Sequence, residues 1–94
     1  MRNYELTVVI PSDVTDDDVP NVLNTVQGWI EAEGGKVVET KPWGRRKLAY
    51  AIADYTEGTY VLLNVNMEAK GLVEVERNLK LSQQIIRYLL IKAE

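Results

Sequence analysis

Trp43-Gly44-Arg45-Arg46-Lys47-Leu48-Ala49-Tyr50-Ala51-Ile52 is the stretch on which the reading of the whole chain turns. It holds three consecutive cations, one of the two tryptophans and a strand-like alternation. In an extended chain successive side chains point to opposite faces. Arg46, Leu48, Tyr50 and Ile52 then share one side, and Arg45, Lys47, Ala49 and Ala51 the other. A strand that passes from cationic to apolar within so short a run has one end in solvent or on a polyanion and the other in a core. Two readings of the cations follow: a solvated strand end that keeps an edge from aggregating, or a binding site.

Downstream, Asp54-Tyr55-Thr56-Glu57-Gly58 reads as a turn. Residues 59–67 then alternate, with Thr59, Val61, Leu63, Val65 and Met67 against Tyr60, Leu62, Asn64 and Asn66. The two extended runs are close enough to form a hairpin. Upstream, Val37 and Val38 lie in an extended run over 36–41, and Pro42 with Gly44 marks an edge strand or a bulge. Before that, Val19, Val22, Leu23, Val26, Trp29 and Ile30 recur at helical spacing and form one apolar stripe. Gly34-Gly35 closes this helix. Its start lies within 15–18: Thr15 can cap with Asp18 reaching back, or Asp17 or Asp18 caps and Pro20 sits harmlessly in the first turn. The aspartates read as acids at the positive end of the helix dipole, with a Mg²⁺ or Ca²⁺ site as the other reading.

The first strand is residues 2–10, with Tyr4, Leu6, Val8 and Ile10 on one side, ended by Pro11. A second helix begins near Glu68-Ala69 and ends near Leu81, with Leu72, Val75 and Leu79 inward and Glu76–Lys80 as an outward pair. Ser82-Gln83-Gln84 turns the chain into Ile85–Lys92, apolar on both faces, which suits a strand buried on one side and partly covered on the other. The order strand, helix, strand, strand, helix, strand is the split βαβ, ferredoxin-like α+β pattern. It predicts one domain over 1–94, with a four-stranded antiparallel sheet and two helices on one face. The other face is open, and Tyr60 and Leu62 lie on it.

Composition narrows the chemistry. The chain has no His and no Cys. That removes the commonest general base and metal ligand, the Ser-His and Cys-His nucleophile pairs and any disulfide. No catalytic residue, metal or cofactor is expected. No apolar run approaches a membrane span, and the N-terminus lacks a signal-peptide pattern, so a cytoplasmic protein is the default. The net charge of −3 is unevenly spread. Residues 1–33 carry one cation against seven anions, 34–52 five cations against one anion, and 53–94 five against six. An acidic chain with so basic a segment can bind a polyanion if the fold isolates that segment on one face.

Three runs together resemble a known family: Met1-Arg2-Asn3-Tyr4-Glu5, Gly44-Arg45-Arg46-Lys47-Leu48-Ala49-Tyr50-Ala51-Ile52, and Glu76–Leu81 followed by Ile86-Arg87-Tyr88-Leu89-Leu90-Ile91-Lys92. The middle run, with its Gly-x-Arg-x-Leu-Ala-Tyr-x-Ile pattern, is the specific one. In this order, on this frame, the chain resembles the bacterial small-subunit ribosomal protein S6 family over nearly its whole length. It departs from many members at Ser82-Gln83-Gln84, often acidic there, and at Ala93-Glu94, beyond which members often carry a polar or acidic tail. The resemblance implies a structural, non-enzymatic protein of the 30S subunit. It also implies pairing with the eighteenth small-subunit protein and joint binding to the central domain of 16S ribosomal RNA, with no small-molecule substrate and no membrane.

RNA binding needs Lys or Arg near phosphates. Arg2, Arg45, Arg46, Lys47, Arg87 and Lys92 are the candidates. Trp43, Tyr50, Tyr60 and Leu62 are candidates for protein contact, since aromatics anchor interfaces. The strand order predicts that Arg2, Arg87 and Lys92 share one sheet edge and that Arg45-Arg46-Lys47 sits at the opposite edge. Rival readings fit less of the chain. An RRM-type module needs more aromatics on the third strand than Gly58-Thr59-Tyr60-Val61-Leu62 supplies, and Phe is absent. An acylphosphatase-like enzyme needs a Gly-rich anion cradle where Pro11-Ser12-Asp13-Val14 stands. A regulatory or ligand-sensing domain that dimerises through its sheet is the alternative function.

Overall fold

The computed structural model describes residues 1–93. Its elements run β1 (Arg2–Pro11), α1 (Val19–Ala32), β2 (Lys36–Ile52), β3 (Tyr55–Met67), a 3-10 turn (Ala69–Gly71), α2 (Leu72–Leu81) and β4 (Arg87–Ala93). The sheet order is β2-β3-β1-β4, antiparallel throughout. This is the ferredoxin-like arrangement that the element order predicts.

The core lies between one sheet face and the two helices. β1 contributes Tyr4, Leu6, Val8 and Ile10, and β3 contributes Val61, Leu63, Val65 and Met67. α1 adds Val22, Val26 and Ile30, and α2 adds Val75 and Leu79. The period of two in the strands and the 3–4 spacing in the helices put these residues on facing surfaces. Burying each such side chain contributes about 1.5–3 kcal/mol relative to exposure.

α1 begins at Val19 behind Asp18, whose backbone is helical and whose side chain makes no cap bond. The Thr15 carbonyl instead accepts from Asp18 N and Val19 N in a preceding turn. The later start leaves Pro20 in the first turn, where no intrahelical donor is lost. The other end closes as a Schellman motif: Gly34 N donates to Glu31 O and Gly35 N to Ile30 O, both at 3.0 Å. Gly34 takes φ +79°, a conformation that costs any residue with a Cβ. On α2 the ion pair is Arg77–Glu74 at 3.8 Å rather than the expected Glu76–Lys80.

Three further expectations are corrected. The turn of the hairpin is not 54–58. β2 runs on to Ile52, and only Ala53-Asp54, both at positive φ, joins it to β3. Two left-handed residues give the turn that matches strand twist, so Tyr55 to Gly58 are strand. The apolar end of β2 does not enter the core. Pairing passes from Lys47↔Glu57 directly to Ile52↔Tyr55, so four residues of β2 oppose only Thr56 and bulge off the ladder. Leu48 and Ile52 are half-buried and Tyr50 is exposed. The outer face of β4 is also uncovered: Tyr88 and Leu90 pack toward the core, while Leu89 and Ile91 are 58% and 46% exposed.

Candidate nucleic-acid and protein interface

β2 and β3 outrun β1, whose last partner on β3 is Gly58. Beyond that pair the hairpin continues as a two-stranded arm over residues 47–57. β2 is an edge strand broken by register shifts at Val38, at Trp43 and between Lys47 and Ile52. Bulges twist an edge away from pairing with other chains and re-aim its side chains. The second of them, with Gly44 at φ +86°, turns Trp43 outward at 48% exposure. The Arg46 guanidinium carbon then lies 5.9 Å from the Trp43 ring centroid, within cation–π reach.

Register assigns the remaining side chains to faces. Tyr60 and Leu62 stand opposite Val9 and Thr7 on β1, which in turn stand opposite Arg87 and Leu89 on β4. These six occupy the sheet face away from the helices. Arg87, Thr7, Val9, Tyr60, Leu89 and the flank of Tyr88 line a shallow hollow of about 190 Å³. That is smaller than a typical small-molecule site. Arg46 pairs with Gly58, of the same parity as Tyr60, and joins this face. The bulge carries Tyr50 to it as well: Arg87 Nη1 donates to the Tyr50 hydroxyl oxygen at 3.1 Å.

The other predicted cations lie elsewhere. Arg45 pairs with Thr59, a core-side position, and points to the helix side of the sheet. There Arg45 Nη1 donates to Ser12 O at 3.1 Å, and Arg45 Nη2 lies 3.6 Å from Asp16 Oδ1. Lys47 has the same parity as Arg45 and is exposed. Arg2 and Lys92 stand beside Met67 and Tyr4, at the far end of the sheet on its helix side. The two groups of cations do lie toward opposite edges, since β2 and β4 are the outer strands of the sheet and β1 borders β4, but the cations of β4 are not gathered into one patch. Arg87 begins β4 and Lys92 nearly ends it, and their odd spacing puts them on opposite faces. Arg87 reaches across to β2 instead.

Several residues of this surface were not singled out in the sequence. Leu89 and Ile91 alternate with Tyr88 and Leu90, a signal that was present but read as a covered strand. Asp13, Asp16 and Tyr55 become partners only through the fold. Tyr55 donates its hydroxyl to Asp13 Oδ2 at 2.8 Å. This hydrogen bond, then desolvation and the carboxylate charge, push the Tyr55 pKa up. Asp16, Asp17 and Asp18 are exposed, and among the described residues no cluster of carboxylates could hold a metal ion. No helix of the described chain is long and apolar enough to cross a membrane.

A small α+β domain with one bare sheet face, cations at its margins and only shallow hollows belongs to the class of proteins that bind along a surface. Comparison with known proteins sharpens that class. The family model of ribosomal protein S6 matches residues 3–92. The small ribosomal subunit protein bS6 of Desulfitobacterium hafniense is 39% identical over 94 residues, covering 100% of this chain and 99% of that protein. Its counterpart in Methylobacterium nodulans is 38% identical, over 100% of this chain and 70% of that longer protein. The crystal structure of 30S ribosomal protein S6 from Thermotoga maritima superposes with a TM-score of 0.91 at 28% identity, covering 98% of this chain and 87% of that one. The chain belongs to the ribosomal protein S6 family. That is a family of structural proteins of the small subunit, not of enzymes, and its place is the cytoplasmic ribosome.

Proposed function

We propose that this protein assembles into the small subunit by binding the central domain of 16S ribosomal RNA together with the eighteenth small-subunit protein. The observation that carries the reading is the bare sheet face, with exposed apolar side chains at its middle and cations at its margins. Leu89 and Ile91, with half-buried Tyr60 and Leu62, offer an apolar strip. Trp43 and Tyr50 flank it. Fully desolvated apolar and aromatic anchors favour a protein partner, so Trp43, Tyr50, Tyr60 and Leu62 are assigned to protein contact.

Phosphate contacts are assigned to Arg2, Arg46, Lys47, Arg87 and Lys92. Arg45, tied to Ser12 and Asp16, stands apart from this set. The cations occupy more than one face, which fits an RNA that folds around the domain better than a single straight helix. A chain of net charge −3 gains little non-specific affinity for a polyanion. It therefore binds RNA better when a partner completes the surface. The test is to titrate a 16S central-domain fragment with the purified chain, alone and with the partner protein. Tighter binding in the joint titration is expected; equal affinity in both overturns the cooperative reading.

A further inference from the structure

The hairpin arm is the least supported part of the fold. Residues 47–57 lie beyond the end of β1, and four residues of β2 there have left the ladder. Its turn carries two non-glycine residues at positive φ, Ala53 (50°) and Asp54 (69°). Two-stranded hairpins are marginal in water unless something packs on them. Yet three long-range side-chain hydrogen bonds converge on this arm and its root: Arg45 to Ser12 O, Tyr55 to Asp13, and Arg87 to Tyr50. Two of the three, and the Arg45–Asp16 ion pair, come from one short segment, the acidic connection between β1 and α1. That segment is itself braced by Val14 N donating to Pro11 O and Asp18 N to Thr15 O.

The two contacts grip different strands of the arm. Arg45 is on β2 and Tyr55 on β3, at opposite ends of the paired stretch, and both reach the helix side of the sheet. Gripping both strands from one side fixes the angle of the arm as well as its position. Arg87 on Tyr50 restrains the same arm from the other face. We propose that Ser12, Asp13 and Asp16 form a clip that sets the angle of the β2–β3 arm to the sheet, with Arg45 and Tyr55 as its grips. The clip presents Arg46 and Lys47 to phosphate, and Arg45 is a positioning residue rather than an RNA contact. The RNA limb of this proposal rests on the function proposed above; the clip itself does not.

The test uses the whole chain and two readouts. Tyr55→Phe combined with Asp16→Ala removes one grip and weakens the other without touching Arg46 or Lys47. Amide hydrogen exchange reports the arm, and affinity for the 16S central-domain fragment in the presence of the partner protein reports its use. Exchange in the arm, residues 47–57, is expected to rise about 10-fold, with the β1 amides and those of 59–67 unchanged. RNA affinity is expected to fall about 3- to 10-fold. Asp13→Asn keeps an acceptor oxygen for the Tyr55 hydroxyl and is expected to match the parent protein in both. Unchanged exchange in the arm overturns the clip. Faster exchange with undiminished RNA affinity overturns the positioning role. A parent protein that fails to bind the fragment overturns the proposed function instead, and the exchange data then decide the clip alone.

Discussion

The Tyr55 hydroxyl gives its proton to a carboxylate, so losing that proton places two negative oxygens 2.8 Å apart. The phenol's pKa is accordingly raised above its ordinary 10.0, chiefly by the hydrogen bond to Asp13. The contact stabilises the fold fully below pH 10 and is lost as pH rises through the raised folded value. The stability gap between the parent protein and Tyr55→Phe, read by urea unfolding, is therefore expected to be present at neutral pH and to close in strong alkali. A gap that persists after Tyr55 has ionised would show that it does not come from this hydrogen bond. The neighbouring cations behave differently because each meets a different partner. Arg46 and Lys47 are exposed and, among the described residues, meet no carboxylate, so replacing either is expected to leave Tm nearly unchanged. If each meets one phosphate, Arg46→Ala and Lys47→Ala each reduce the slope of log affinity against log salt by about 0.7–0.9. A salt titration in the presence of the partner protein measures this.

β2 shows why a strand can be read correctly and still be misplaced. Its alternation between Arg45 and Ile52 held as far as Lys47, and the edge position signalled by Pro42 and Gly44 is what the sheet order gives. The apolar run after Lys47 was expected in a core, but nothing in Leu48 to Ile52 records that β1 ends at Gly58's partner and leaves the arm without a third strand. The same gap hid the clip, because Asp13 and Tyr55 are 42 positions apart and only the crossover brings them together. Local signals served better where the physics is local. Gly34-Gly35 predicted the end of α1, and the structure uses Gly34 at φ +79° with open space where a Cβ would stand. Gly34→Ala thus adds no clash, only the backbone cost of a left-handed alanine. It is expected to destabilise by about 1–2 kcal/mol, read by chemical denaturation.

Across the whole molecule the sheet separates a buried face from a bare one. One face carries the buried side chains of β1 and β3 against α1 and α2, and the other carries a shallow, partly apolar surface. β4 contributes to both, since alternate residues of one strand go to opposite faces. Tyr88 and Leu90 pack on the core, whereas Leu89 and Ile91 are exposed. That exposure is why the two-sided apolarity of β4, visible in the sequence, misled about coverage: the second side is apolar without being buried in the fold. The two roles can be pulled apart by substitution. Leu79→Ala removes a side chain that is 1% exposed, and is expected to cost about 2–5 kcal/mol of stability. Leu89→Lys with Ile91→Lys changes a larger number of atoms but buries none of the new charge. Thermal unfolding of that variant is expected to stay close to the parent, because substitutions at exposed positions shift stability by only about ±0.5 kcal/mol. Its affinity for the partner protein is expected to fall about 10-fold or more, as for an interface that loses a desolvated anchor. Calorimetric titration of the folded variant with the partner measures this. Undiminished affinity in a variant that still folds would remove the outer face of β4 from the interface and leave Trp43, Tyr50, Tyr60 and Leu62 as the surface for the partner.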